Sequence, residues 1–367
     1  MKLSIVLPVY NEAKTILEVL KAVQDAPVFG LEKEIIIIDD CSSDSTPDIL
    51  KKFVSNDVKI VRHEKNQGKG AALKTGFDIA TGDIILIQDA DLEYDPKEYE
   101  NLLKPILEDK FDVVYGSRFL EYNENIKKYS PHTLANKFLT FLSNLFSGLK
   151  LTDMETCYKV FKAGIIKDIY IEEKRFGFEP EITAKIASKI RKENLRIAEV
   201  PISYKPRSYK HGKKIGIKDG IRAIWCIVKY NDSFFITFLR YAFSGLSASF
   251  LQFFSMVFLV EFLSFKTVFL QNLANILSIL ISMVYVFLMH SFFSWRYKFS
   301  SLMIFFKKMF VFFVFSGILL IFRILLFYLL SVMGMDYKLN TLINIVFVVI
   351  VNFIFYNLVL FKETKTT

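Results

Sequence analysis

The sequence predicts an α/β head built on a doubly wound, mostly parallel sheet, followed by an all-α transmembrane part of four helices. Three observations carry that prediction. Short runs of branched apolar residues alternate with helix-patterned segments through the first half of the chain, and strand–helix alternation is the signature of a parallel sheet covered on both faces. Charges are spread over residues 1 to about 232, whereas long runs rich in Phe, Leu, Ile and Val dominate from Phe234 onward. Three predicted strands run into polar residues, at Tyr10 to Glu12, Asp39-Asp40 and Asp89 to Asp91. Open α/β sheets bind ligands at the carboxyl ends of their strands, so this clustering predicts a crevice there.

The elements follow in order. Leu3 to Val9 reads as a buried strand, and Glu12 to Gln24 as a helix with Ile16, Leu17, Leu20 and Val23 at helical spacing. Glu34 to Ile38 is a second strand. A helix from about Ser45 to Val54 follows, with Pro47 in its first turn, where proline is tolerated. Val58 to Val61 is a third strand, and Asn66-Gln-Gly-Lys-Gly-Ala-Ala-Leu73 is a glycine-bearing loop entering a helix to about Ala80. Ile84 to Ile87 is a strand that runs into Asp89, Asp91 and Glu93. Alternate residues of an extended segment share a side, so these three acids can converge. Converging carboxylates repel unless a cation sits between them, and hard divalent ions prefer oxygen ligands. The stretch therefore predicts a Mg²⁺ or Mn²⁺ site holding a diphosphate. A helix over Pro96 to Glu108 and a strand over Asp112 to Tyr115, ending at Gly116-Ser117-Arg118, complete the first half of the head.

Farther on, Leu134, Phe138, Phe141, Leu142, Leu145 and Phe146 recur at helical spacing within residues 132–149. That stripe suits either the core or a membrane interface. Tyr158 to Phe161 is a strand, and the segment from Phe176 leads into a helix to about Lys192 with Glu179 and Glu181 placed to cap it. Arg207 to Gly216 is a basic, glycine-bearing loop. Ile217 to Tyr230 is amphipathic and immediately precedes the apolar region, which suits a helix lying in the membrane interface. The expected organisation is a head over residues 1–215, an interfacial segment over 216–233 and a membrane part over 234–367. Four spans, about 238–262, 268–290, 309–330 and 341–361, each reach the ~20 residues that a bilayer core requires.

Composition bounds the partners. The formal charge of +9 suits an anionic membrane surface as well as it suits nucleic acid; with a membrane part present, no nucleic-acid partner is expected. Cys41, Cys157 and Cys226 show no metal-ligand spacing and are expected to be reduced thiols. Only Met1-Lys2 precede the first strand, from which no signal peptide is expected. Arg296, Lys298, Lys307 and Lys308 lie between spans two and three, and Lys362 and Lys365 in the tail. The positive-inside rule then places the head, that loop and the tail in the cytoplasm of a multi-pass membrane protein.

Several stretches carry a resemblance: Leu7-Pro-Val-Tyr-Asn-Glu12, Ile38-Asp-Asp-Cys-Ser-Ser-Asp44, Asn66-Gln-Gly-Lys-Gly70, Asp89-Ala-Asp91, Tyr115-Gly-Ser-Arg118 and Glu199-Val-Pro-Ile202. In this order the chain resembles inverting family 2 glycosyltransferases of the GT-A fold, in particular the dolichol-phosphate mannose synthase and polyprenyl-phosphate glucosyltransferase group. The four spans resemble the GtrA-like membrane domain by size, position and the Trp295-Arg296 element. The resemblance implies roles. Pro8, Tyr10 and Glu12 would line a base and ribose pocket, with Asp39, Asp40, Lys69, Asp89 and Ala90 in the same nucleotide-sugar set. Asp91 would be the direct metal ligand ahead of Asp89, with Glu93 a third candidate. Arg118 would face the diphosphate or an acceptor phosphate. Asp153 or Glu155 would bond sugar hydroxyls or orient a basic group. Arg207, Lys210, Lys213 and Lys214 would hold the acceptor phosphate, with Arg207 and Lys213 in the catalytic set.

The activity so implied moves mannose or glucose from a GDP- or UDP-hexose to polyprenyl monophosphate. A phosphate acceptor is already anionic and needs no strong base. A hydroxyl acceptor would need one, with Asp153 or Glu155 the candidate. A third reading is a membrane protein that binds nucleotide sugar without turnover. No Gln-x-x-Arg-Trp motif is present, which disfavours a processive polysaccharide synthase.

Overall fold

The chain folds into two units, Met1–Ser233 and Phe234–Thr367. The structure is a computed structural model that describes residues 1–53, 55, 57–120, 131–206, 216–265, 267–297 and 299–361.

The first unit is built on a seven-stranded sheet. Its strands are β1 (Lys2–Val9), β2 (Glu32–Asp39), β3 (Val58–Arg62), β4 (Ile84–Ile87), β5 (Val113–Ser117), β6 (Lys159–Lys162) and β7 (Ile197–Pro201), in the spatial order β3-β2-β1-β4-β6-β5-β7. All pairs are parallel except those of β6, which runs antiparallel to both β4 and β5. The central strands are apolar throughout because both their faces are covered: Ile35 to Ile38 and Ile84 to Ile87 are all buried. The helices of this unit are α1 (Ile16–Asp25), α2 (Thr46–Lys52), α3 (Lys69–Ile79), α4 (Tyr99–Leu107), α5 (Pro131–Ser147), α6 (Ala163–Lys167), α7 (Phe178–Glu193) and α8 (Ile217–Tyr230).

At the amino ends of the strands, buried Glu34 accepts from Ser4 Oγ at 2.6 Å, Lys59 Nζ at 2.5 Å and Thr81 N at 2.8 Å. Burial pushes this carboxyl up, but these partners outweigh it and hold it down at about 2. That end of the sheet is closed by its own polar network, which leaves the opposite end for ligands.

Two amphipathic helices of this unit pack with one face and expose the other. The stripe predicted on α5 points outward: Leu134, Phe138, Phe141 and Leu145 are exposed, while Leu139, Thr140 and Ser143 are buried. The periodicity was real, but polar Thr140 and Ser143 take the inner face because the 152–157 loop packs there, with Met154 N donating to Thr140 Oγ1 at 3.1 Å. Helix α8 belongs to the first unit. Its Ala223 and Ile227 pack with Leu139 and Met154, and Arg222 grips Glu173 at 2.7 Å. Its Ile221, Ile224 and Trp225 remain exposed.

The second unit holds four helices, α9 (Phe234–Val257), α10 (Val268–Met289), α11 (Leu302–Val332) and α12 (Tyr337–Phe355). Helices α9, α10 and α12 each end in a π-helical turn, at Phe258–Phe262, His290–Ser294 and Tyr356–Leu360. The spans long and apolar enough to cross a membrane are Phe234–Phe262, Val268–Ser294, Leu302–Val332 and Ile343–Leu360. The third starts seven residues earlier than predicted, because Ser301 caps the helix by accepting from Ile304 N at 3.3 Å. An aromatic core of Tyr241, Phe287, Phe312, Phe353 and Tyr356 holds the four together.

Candidate active site

Parallel pairing puts the carboxyl ends of β1, β2, β4 and β5 on one edge of the sheet. The antiparallel β6 starts at that same edge, so the residues before it, Asp153 to Cys157, enter between the ends of β4 and β5, where Gly116 N donates to Tyr158 O at 2.8 Å. The chain turns sharply just beyond three strand ends. Asn11, Cys41 and Leu92 have φ of 56°, 61° and 58°, a region that residues other than glycine seldom occupy and that concentrates at functional sites.

Of the two acids after β2, Asp40 is part of the scaffold. Its carboxylate accepts from Gln67 N at 2.9 Å, Gly68 N at 2.6 Å and His63 Nδ1 at 2.7 Å. These bonds fold the glycine-bearing loop over the strand ends, where the sequence predicted a nucleotide contact for Asp40. Asp39 differs: Oδ1 accepts from Ser42 N at 2.9 Å, while buried Oδ2 has no hydrogen-bond partner among the described residues and lies 3.2 Å from Arg62 Nε. Tyr10 is exposed beside it. Glu12 is tied to the β4 end through Thr15, whose Oγ1 donates to Glu12 Oε2 at 2.7 Å and to Ala90 O at 2.8 Å. Pro8 sits within β1, in register with Ile38.

The loop delivers Lys69. Its Nζ lies 3.0 Å from Asp89 and 2.9 Å from Glu179. Burial pulls its pKa down, and the two carboxylates more than reverse that, holding it well above the ordinary lysine value. The placement depends on glycine. Gly68 has φ +96°, and a Cβ at Gly70 would lie 2.0 Å from the carbonyl oxygen of Glu173. Gly70→Ala is expected to cost on the order of 2–3 kcal/mol and to displace Lys69. Thermal unfolding of the full-length protein checks the first effect, and a raised KM for the sugar donor the second.

The three acids after β4 do not converge. Asp89 pairs with Lys69, Asp91 Oδ1 accepts from Glu93 N at 3.2 Å, and Glu93 Oε2 accepts from Tyr204 Oη at 2.8 Å. Among the described residues, no group of three His, Cys, Asp or Glu side chains is arranged to hold an ion. The positive φ of Leu92 interrupts the extended run between Asp91 and Glu93, so Glu93 leaves the alternation that relates Asp89 to Asp91.

Arg118, at the end of β5, is buried against Asp153. Nε donates to Oδ2 at 2.6 Å, Nη2 to Oδ1 at 2.8 Å, and the Arg118 backbone N–H to Oδ2 at 3.1 Å. Glu199 positions Asp153 by accepting from its N–H at 3.0 Å and from Thr152 N at 2.7 Å. The guanidinium lies 5.0 Å from the Tyr204 ring centroid. Glu155 follows. Among the described residues its buried Oε1 has no hydrogen-bond partner, and burial, reinforced by Glu179, pushes its carboxyl up to about 8. Arg207, Lys210, Lys213 and Lys214 lie outside the described residues.

Sequence reasoning missed Glu179, Glu199 and Thr15. Glu179 was read as a helix cap, yet it partners Lys69. Glu181 instead accepts from the backbone of Glu172 at 2.7 Å and Glu173 at 2.8 Å. For Glu199 the available signal was its place two residues before Pro201, in a strand that ends beside Ser117.

Comparison with known proteins bears on this site. Residues 4–170 match the family model for glycosyl transferase family 2, and residues 240–361 match that for the GtrA/DPMS transmembrane domain. An uncharacterized protein of Methanocaldococcus jannaschii is 30% identical over 61% of this chain and 90% of its own length. This chain belongs to glycosyl transferase family 2. The glycosyltransferase is also similar to dodecaprenyl-phosphate galacturonate synthase of Rhizobium johnstonii, at 28% identity over 61% of this chain and 64% of that protein. It is similar to dolichol-phosphate mannosyltransferase of Pyrococcus furiosus, at 34% over 33% of this chain and 34% of the other. The seven-stranded head is thus a GT-A-like glycosyltransferase domain, and the four spans are a GtrA/DPMS-type membrane domain.

Proposed function

We propose that this glycosyltransferase moves a hexose, mannose or glucose, from a GDP- or UDP-sugar to a polyprenyl monophosphate, with inversion at the anomeric carbon. The observation that carries the acceptor class is the state of the two candidate bases. Asp153 is fully buried and bound through both oxygens to Arg118, and burial shifts Glu155 toward its protonated form. Neither is presented to a hydroxyl as a free carboxylate. An acceptor that is already anionic needs no base, and its attack on the anomeric carbon is promoted by positioning and charge neutralisation. The names of the two relatives, both polyprenyl- or dolichol-phosphate enzymes, agree with this reading.

In the proposed site, Tyr10, Glu12 and the Asp39 oxygen beside Arg62 contact the nucleoside, and Arg118 faces phosphate. The exposed stripes of α5 and α8 contact the membrane surface. The head is cytoplasmic on the positive-inside argument. The donor set suits a divalent ion. Asp91, with Asp89 beside it, offers hard oxygen ligands, and Mg²⁺ is commonly held by one or two carboxylates with substrate phosphates completing its shell. Such an ion, Mg²⁺ or Mn²⁺, supplies Lewis-acid stabilisation of the departing diphosphate. Lys69 neutralises Asp89 and keeps it oriented, while Glu179 holds Lys69 in place.

Purified protein with Mn²⁺, labelled nucleotide sugars and polyprenyl phosphate is expected to yield an organic-extractable, mild-acid-labile sugar lipid. No such product with any common donor sinks the proposal. Glu155→Gln separates the acceptor classes: transfer should persist, whereas a hydroxyl-acceptor enzyme relying on this base would lose it. The same variant has a stability signature. Glu155 keeps its proton in the fold between its ordinary pKa of 4.5 and about 8, a range in which the unfolded chain has lost it. Stability therefore falls as pH rises through that window. The variant should flatten this slope and gain on the order of 2 kcal/mol at pH 8, read by thermal unfolding across pH.

A further inference from the structure

We propose that Glu173 is a positioning residue for the sugar donor, set from outside the sheet edge by Arg222 of α8. This rests on the reading of that edge as the donor site. The side chain positioned is Lys69, whose Nζ sits between Asp89 and Glu179 at 3.0 and 2.9 Å. Lys69 is carried by the glycine-bearing loop and its partner Glu179 by the start of α7. Glu173 touches both.

The first contact is backbone on backbone. A Cβ at Gly70 would collide with the Glu173 carbonyl oxygen, and one at Gly68 with that of Lys174. Ala71 N donates to Lys174 O at 3.2 Å. The loop therefore rests directly on the 173–174 segment, and close-packed interiors transmit a displacement rather than absorb it. The second contact is through the side chain. A Cβ at Gly177, the residue before α7, would lie 2.7 Å from Glu173 Oε2, so the carboxylate packs against the amino end of the helix that presents Glu179. A negative charge is favoured at that end. The Glu173 backbone is fixed in turn, its N–H donating to Glu181 Oε2 at 2.8 Å.

Helix α8 fixes the carboxylate. Arg222 Nη2 donates to Oε1 at 2.7 Å and Nε to Oε2 at 3.0 Å, and Tyr230 Oη donates to Oε1 at 2.8 Å. Burial raises the Glu173 carboxyl, and the bonds from Arg222 and Tyr230 outweigh it and hold the group below the usual glutamate value. A guanidinium fork fixes direction as well as charge. The inner face of α8 is buried at Ala223, Cys226 and Ile227, while Ile221 and Trp225 are exposed on the other side. The hold on Lys69 thus depends on how a helix with an exposed apolar face is seated.

Nucleotide binding to the full-length protein tests this, by calorimetry with UDP and with GDP, each with Mn²⁺. The Arg222 side chain is 53% exposed, so Arg222→Met leaves no core cavity and the protein should fold. It should raise the Kd of the nucleotide that binds about tenfold, and the KM for the corresponding sugar donor in parallel, with kcat within about twofold. Arg222→Lys should restore part of the affinity, and Glu173→Gln should shift it in the same direction as Arg222→Met. The deciding measurement is the pair with Lys69. In a Lys69→Met background, Arg222→Met should add less than about twofold, because the side chain it positions is gone. An unchanged Kd in Arg222→Met, with or without a lower unfolding temperature, overturns the proposal. So does the full loss persisting in the Lys69→Met background, which would mark a general packing defect. Wild-type protein that binds neither nucleotide refutes the donor site and this proposal together. Wild-type protein that binds a nucleotide but glycosylates no polyprenyl phosphate refutes the acceptor reading alone, and the Kd values still decide the role of Glu173.

Discussion

Asp91→Ala is expected to lower kcat/KM for sugar transfer by about 10³-fold or more while the protein still folds. The reason is placement. Asp91 is half-buried just past β4, outside the core, and Oδ1 accepts from Glu93 N at 3.2 Å. Removing the side chain therefore opens no core cavity. What it removes is the oxygen that would hold the divalent ion against a diphosphate, and charge stabilisation of that kind is worth several kcal/mol in a transition state. Two readouts check this. Transfer to polyprenyl phosphate reports activity, and Mn²⁺ paramagnetic resonance in the presence of a nucleoside diphosphate reports binding of the ion. Unchanged turnover would refute the metal role. Lost turnover with undiminished Mn²⁺ binding would move that role to Asp89.

The second large effect falls on stability. Asp153→Asn should destabilise the protein by about 3 kcal/mol or more, because it leaves the Arg118 guanidinium buried without its counter-charge. Arg118 is 8% exposed and Asp153 fully buried, so water cannot replace the lost partner. Arg118→Met alone should cost a similar amount by stranding Asp153. The double variant Arg118→Met/Asp153→Asn removes both charges and should recover part of the stability without recovering activity. Thermal unfolding of the four proteins completes the cycle. Additive losses would show that the pair is not coupled. A double variant with full transfer activity would show that Arg118 has no part in handling phosphate.

Much of this arrangement was legible in the sequence. The strands announced themselves as short branched apolar runs because a strand covered on both faces needs no polar alternation. The four spans were legible for a related reason, since a bilayer core requires about 20 apolar residues in succession. The sheet edge that carries Asp39, Asp89, Asp91 and Arg118 was legible because parallel strands gather their carboxyl ends. Strand β7 was not legible as a strand: its residues are all only partly buried, so its pattern carries no clear period.

Tertiary structure alone decided how those charges are used. Sequence could not tell Asp39 from Asp40. They are neighbours of one type, and only the return of the glycine-bearing loop gives Asp40 to the backbone of Gln67 and Gly68 while leaving an oxygen of Asp39 without a hydrogen bond. Nor could it pair Lys69 with Glu179 or Arg118 with Asp153, because those partners lie 110 and 35 residues apart and meet through the fold. The face that α5 presents outward also depended on what packs beneath it. Local spacing thus determined the elements and the chemistry they can offer. The partner of each charge was settled by long-range packing, because an ion pair depends on distance in space and on burial rather than on separation along the chain.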